Sequence, residues 1–137
     1  MKFSLADTTE SNSIQSYDES GITIATPPSA TTQLTKNQRV ENSVFICATQ
    51  ILTDFSVSSL AALSSADCQS IFALNKAINL DVLLIGCHDQ ASFLSAELYA
   101  QFIKQHIGVE CMSVGAACRT YNMLLNESRS VGVLILI

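Results

Sequence analysis

The residues with the most chemical potential fall in two short runs, Gly86-Cys87-His88-Asp89 and Gly115-Ala116-Ala117-Cys118-Arg119. A cysteine near a helix start has its pKa lowered by the macrodipole and gains thiolate character, the condition for nucleophilic chemistry. His88 is of the type that serves as base to such a thiol. Gly115, with the small Ala116 and Ala117, lets a ligand or another backbone approach the amides that open a helix, a setting suited to anions. Arg119 completes an anion cradle on this reading, because a guanidinium grips carboxylate or phosphate as a fork. Each residue also has a plainer use: Cys118 as a small buried hydrophobe, His88 as a surface-loop residue, Arg119 as a partner of Asp89 or a solvated cation. The plainer uses are preferred. No third group is placed to orient His88, and neither the phosphate loop GxxxxGK nor the dinucleotide fingerprint GxGxxG occurs.

Other chemistries find less support. Cys87, His88, Cys111 and Cys118 are metal-ligand types, but Cys111 sits mid-strand and the adjacent Cys87 and His88 point in different directions, so no metal is expected. No paired carboxylates, GxSxG elbow or HExxH helix is present, which removes the commonest hydrolases and metalloproteases. No catalytic residue is assigned, no cofactor is implied, and the reading leans away from an enzyme.

The elements that position these runs follow from periodicity. Ser13 to Tyr17 and Ile22 to Ala25 alternate as strands about a turn at Asp18 to Gly21, an antiparallel hairpin placed at a sheet edge. Thr31 to Leu34 suits a further short strand and Ser43 to Ala48 a buried one. Val57 to Leu63 has a short helical possibility, and Ser65 or Asp67 is positioned to cap a helix reaching about Ala77. Asp81 to Gly86 is a continuous aliphatic run, as in a strand covered on both faces. Ser92 is the expected cap of a helix with Leu94, Leu98, Phe102 and Ile103 on one stripe, and Gly108 its C-terminal cap. There His106 is read as a cation favoured by the helix C-terminus. Val109 to Val114 is the next strand, Ala116 to about Arg129 the last helix, and Val131 to Ile137 the closing strand. This helix places Arg119 in its first turn, where a positive charge needs compensation. Tyr121 packs in the core on this reading, with Thr120, Asn122 and Glu127 on polar sides, solvated, structural or facing a partner.

Strand, helix, strand, helix, strand at this spacing makes right-handed crossovers and parallel pairs. The expected fold is α/β: a three-layer α/β/α single domain over 1–137, with a mixed sheet, an N-terminal antiparallel hairpin and a polar tail at about 1–10. In such sheets the ligand crevice lies beyond the carboxyl ends of the parallel strands. Those ends bring Gly86, Cys87 and His88 close to Gly115 and Ala116.

Composition bounds the partners. The 137 residues are 48% hydrophobic and only 14% charged, with a mean hydropathy of +0.32, so either much is buried or a face is kept for a partner. The net charge is -5 with 7 Lys and Arg, scattered without a cluster, which argues against nucleic acid. No apolar run approaches the ~20 residues of a membrane span, and the polar start is not a signal peptide. Five cysteines, none in a CxxC spacing, read as reduced core thiols, in keeping with a cytoplasmic location.

The run Gly108-Val109-Glu110-Cys111-Met112, then Ala116 to Asn122, then Leu124, Glu127 and Arg129 resembles a family of small uncharacterised bacterial and archaeal proteins. The family is related to the mitochondrial NADH dehydrogenase (ubiquinone) complex I assembly factor 3. Asn12 to Tyr17 resembles its first strand, and Leu83-Leu84-Ile85-Gly86 its strand ending in a glycine turn. The resemblance implies an α/β/α fold, with Arg119, Thr120, Tyr121, Asn122 and Glu127 as motif residues. For the mitochondrial branch it implies a non-enzymatic assembly role. This chain departs from the pattern at Cys87-His88, where members carry Thr-Gly; at Ser113, where they carry Asp; and at Phe55, often Trp. The loss of the acidic residue removes the clearest inherited site group. The functional expectation is a non-enzymatic protein-interaction or assembly-type domain acting on an unknown protein partner or as a homo-oligomer. The alternative is a domain that binds a small anion, or is enzymatic, at the crevice near Gly86 and Gly115.

Overall fold

The computed structural model describes residues 11–27, 37–89 and 92–137. The strands are β1 (Ser13–Tyr17), β2 (Ile22–Ala25), β3 (Asn37–Val40), β4 (Val44–Cys47), β5 (Ile51–Leu52), β6 (Val82–Cys87), β7 (Gly108–Ser113) and β8 (Val131–Ile135). The helices are α1 (Gln69–Ile78), α2 (Ala96–Lys104) and α3 (Val114–Asn126), with a 3-10 turn at Ala66–Cys68 before α1. The strands form a mixed five-stranded sheet in the order β5-β4-β8-β6-β7 and an antiparallel three-stranded sheet β1-β2-β3. β6 runs parallel to both β7 and β8, while β4 is antiparallel to β8 and β5.

Alternation along each central strand divides the core between the two faces of the large sheet. Phe45, Leu83, Ile85 and Leu134 point to one face and pack with Ile71 and Phe72 of α1 and Leu98 and Phe102 of α2. Val44, Ile46, Leu84, Val133 and Ile135 point to the other and pack with Ala117, Tyr121 and Leu125 of α3 and Ile14, Ile22 and Ile24 of the small sheet. Both faces are covered, which is why β6 and β8 read as unbroken aliphatic runs. The result is the expected three-layer α/β/α fold with a mixed sheet.

Several local expectations need correction. The hairpin does not extend the edge of the large sheet. With β3 it forms a separate sheet that shares the second face with α3. β3 escaped notice because its Asn37, Gln38 and Arg39 are all exposed, which leaves no apolar alternation to read. The two-residue β5 is too short to carry a pattern. No helix forms over Val57 to Leu63. Phe55, Val57, Leu60 and Leu63 are all buried, a spacing that suits an extended strap, and Asp89 holds the turn by accepting from the amides of Leu60 and Ala61, each at 3.0 Å.

The helix boundaries also shift. Neither Ser65 nor Asp67 caps α1, since Asp67 instead accepts from the Ser64 amide at 2.8 Å. α2 is capped by Ser95, three residues after the expected Ser92, through a bond from the Leu98 amide at 3.2 Å. Its end is formed by His106 in the left-handed conformation, φ 61°, and Gly108 opens β7 instead. Ile103 lies outside the inward stripe, 57% exposed. α3 starts at Val114 and stops at Asn126, short of Arg129. The polar tail at 1–10 and the strand expected at Thr31 to Leu34 lie outside the described residues.

Candidate functional site

β6 and β7 are neighbours in parallel, with Cys87 level with Ser113, so their carboxyl ends do meet at the start of α3. A cleft of about 310 Å³ opens there, lined by Cys87, His88, Ser113, Val114 and Gly115 and closed on the far side by Tyr17, Asp18 and Glu19 of the hairpin. Cys118 and Arg119 fall outside it. They line a second cleft of about 280 Å³ with Ile14 to Tyr17 and Asn122. Tyr17 belongs to both and stands as the wall between them, so the expected site is divided in two.

The glycines explain the division. A side chain at Gly115 would lie 2.9 Å from the Tyr17 ring and hydroxyl, so the approach that glycine permits is taken by the protein's own aromatic. A side chain at Gly86 would meet Ala117 Cβ at 2.9 Å and Val114 Cα at 3.1 Å, so Gly86 is where α3 settles on β6. Ser113 is the N-cap of α3 and accepts from the Ala116 amide at 3.2 Å. Serine and aspartate are both strong N-caps, so the departure from the family pattern at Ser113 keeps the cap while removing the charge.

Arg119 is in the second turn of α3, and its conflict with the helix dipole is correspondingly weak, since that effect fades beyond the first turn. The guanidinium donates to the Tyr17 hydroxyl, while Asp89 is engaged with Leu60 and Ala61. The Leu60 amide first, then that of Ala61, hold the Asp89 carboxyl below its usual range. The next motif residues are also engaged. The buried Tyr121 hydroxyl donates to the Asn12 carbonyl at 2.7 Å. Asn122 receives the Ile14 amide at 3.0 Å and donates to the Ile14 carbonyl at 2.7 Å. Its carboxamide thereby replaces a strand partner along the outer edge of β1. Arg119, Tyr121 and Asn122 of the Arg-Thr-Tyr-Asn run therefore fasten α3 to β1 and to Asn12 just before it. Thr120 and Glu127 stand outside this set, Thr120 half-buried and Glu127 exposed.

The thiols are turned away from reactivity. Burial pushes Cys118 up to about 11, against the opposing pull of Arg119, the reverse of the lowering expected at a helix start. Burial and then the charge of Asp89 push Cys87 up to about 11, and its Sγ faces the Met112 carbonyl at 3.7 Å. Cys111, expected in the core, is exposed on the edge strand β7. His88 is exposed at the cleft mouth. The rim carries Asp18, paired with Arg39, and Glu19, whose carboxylate opposes rather than attracts an anion.

The feature that sequence reasoning missed lies on the opposite face. On α2, Leu98 and Phe102 point inward, whereas Tyr99 is 47% and Ile103 57% exposed. Ala96 and Ala100 are exposed beside them. The signal was present: Ala96, Tyr99, Ala100 and Ile103 recur at helical spacing and make a second apolar stripe behind the first. Phe93, 86% exposed, precedes the helix.

Comparison with known proteins gives a family without an activity. The profile of a family described as "Protein of unknown function (DUF498/DUF598)" matches residues 14–136. A "13 kDa major membrane protein" of Francisella tularensis is 35% identical over 60 residues, 44% of this chain and 49% of that protein; the match thus spans about half of that relative's length. Among solved structures, an outer membrane protein from Bartonella henselae superposes with a TM-score of 0.72 at 24% identity, covering 93% of this chain and 96% of that one. A Bordetella pertussis protein described as a Mth938-like domain superposes with a TM-score of 0.71 at 20% identity, covering 94% and 86%. At these identities the two structures bear on the fold alone.

Proposed function

This chain belongs to the DUF498/DUF598 family of proteins of unknown function, and from that footing we propose that it is a non-enzymatic protein-interaction domain that docks through the outer face of α2. The observation that carries this reading is the exposure of Tyr99 and Ile103 together on the outer face of α2, since neighbouring exposed apolar groups of this size mark contact surfaces. The engagement of Arg119, Tyr121 and Asn122 in internal bonds supports it from the other direction, because the residues most suited to a ligand are already spent. An assembly role of the kind implied for the mitochondrial relatives would be one form of such docking. We read residues 1–137 as one domain.

The competing reading is a small-ligand domain using the cleft of Cys87, His88, Ser113 and Gly115, and its support is the cleft itself. A thermal-shift screen of anions and nucleotides separates the two. Stabilisation by one of them that disappears in Gly115→Val, with the fold intact, overturns the docking reading. No stabilisation, together with a protein retained by the native chain and released by Ile103→Glu, supports it.

We also infer a cytoplasmic location, supported by five free cysteines, as expected of a reducing compartment. No helix among the described residues is long and apolar enough to cross a membrane. Because two relatives carry membrane names, cell fractionation is the direct test, and recovery in a membrane fraction overturns the inference.

A further inference from the structure

The charges flanking the α2 stripe identify what covers it, and we propose that the occupant is a second copy of this chain, its α2 lying antiparallel across the first. This rests on the docking reading above and specifies the partner. Exposed Glu97 lies in the first turn of α2 and exposed Lys104 in the last, both at the margin of the outer face. Consider a two-fold axis passing over residue 101. Tyr99 then meets Ile103 of the second copy, Ile103 meets its Tyr99, and Ala96 and Ala100 leave room for the close approach that packed helices need, about 8–10 Å between axes. The same axis sets Glu97 against Lys104 of the second copy within one residue of register, about 1.5 Å along the helix, well inside the reach of either side chain. In a parallel pair the two-fold sets the Glu97 and Lys104 flank of one copy on the opposite side of the seam from that of the other, so neither charge meets its complement. The stripe is therefore self-complementary in one orientation only, as an isologous interface requires. In that orientation a central apolar patch is rimmed by opposite charges, an arrangement that favours register and specificity.

Sedimentation velocity on the full chain across the micromolar range tests this. The native chain is expected to be a dimer, and Ile103→Glu a monomer with unchanged circular dichroism; Ile103→Gln serves as the milder substitution should the first disturb folding. Glu97→Lys and Lys104→Glu each place like charges together twice across the two-fold and are expected to weaken association about fivefold at low salt. The double reversal Glu97→Lys/Lys104→Glu rebuilds both pairs and is expected to restore the native dissociation constant, which a different protein seated on this face would not do. A native chain that stays monomeric, a dimer that survives Ile103→Glu and Ile103→Gln, or a double reversal no better than the single ones overturns the second-copy assignment. A monomeric native chain that still retains a different protein through Ile103 overturns only that assignment, whereas cleft-dependent stabilisation in the ligand screen overturns the docking reading beneath it.

Discussion

The hydrogen bonds of single side chains decide how the small sheet is held. Asp18 is the clearest case: its Oδ1 closes the β1–β2 turn by accepting from the Ser20 amide at 2.8 Å and the Gly21 amide at 3.1 Å. The same carboxylate is gripped from β3 by the fork of Arg39 at 2.9 and 3.0 Å. The Arg39 bond first, then the Ser20 amide, hold the Asp18 carboxyl well below the usual carboxylate range. A carboxyl depressed on folding contributes stability that is present above its unfolded value, about pH 4, and is lost as the pH falls below it. The urea midpoints of the native chain and of Asp18→Asn are therefore expected to differ at about pH 6 and to converge as the solution is taken below about pH 4. A gap that stays constant over that interval would show that the carboxylate's charge is not what matters. Because the pair is solvent-exposed the gap is expected to be modest and to shrink with salt.

Between elements, the two glycines of the expected site do different work. At Gly86 the neighbours within 3.1 Å of an added methyl are Ala117 Cβ, Val114 Cα and the Ile135 side chain, which belong to a packed helix and strand and give way only if α3 lifts from β6. Gly86→Ala is expected to cost about 1–3 kcal/mol, the range for overpacking a closed core. At Gly115 the neighbour is Tyr17, 40% exposed, which can swing outward. Gly115→Ala also gains helix propensity of about 0.5–1 kcal/mol, offset by loss of the Tyr17–Arg119 bond. It is expected to lie within about 1 kcal/mol of the native chain. Denaturation curves that rank Gly115→Ala below Gly86→Ala would contradict this account. The contrast also marks what could be read in advance. Strands covered on both faces, such as β6 and β8, announce themselves by composition, and the helix after β7 by its apolar stripe. The edge elements do not, because β3 is polar and β5 has two residues. The helical possibility over Val57 to Leu63 is not realised because that turn is held by Asp89, 26 residues beyond Leu63 in sequence. A cleft opens at the carboxyl ends of β6 and β7. Its division by Tyr17 depends on where the hairpin folds back, which no local pattern in β1 records.

At the scale of the whole molecule, the large sheet separates two clusters of buried side chains, and the cysteines sample both. Cys47, Cys68 and Cys87 lie in the cluster under α1 and α2, Cys118 in the one under α3 and the small sheet, and Cys111 outside both on the β7 edge. Asn122 is the largest polar link between α3 and β1, with two bonds to Ile14. Removing it leaves the Ile14 amide and carbonyl without these bonds, at a cost of about 1–3 kcal/mol. Stability is spent locally when one unit can open without the other. Asn122→Ala should then release the small sheet from α3 while the cluster under α1 and α2 stays closed. With a maleimide and peptide mass mapping, the native chain is expected to label first at the exposed Cys111, although partial desolvation of its thiol, then the charge of Glu110, raises its pKa and slows the reaction. The remaining four should label only on unfolding, when burial no longer holds Cys68 up at about 12. In Asn122→Ala, labelling of Cys118 is expected to rise by roughly 5–30-fold, the population change that one to two kcal/mol produces, with Cys68 and Cys87 unchanged. If all four buried thiols accelerate together, the two faces open as one cooperative unit, and the bonds from Asn122 to Ile14 serve the entire fold rather than the attachment of its small sheet.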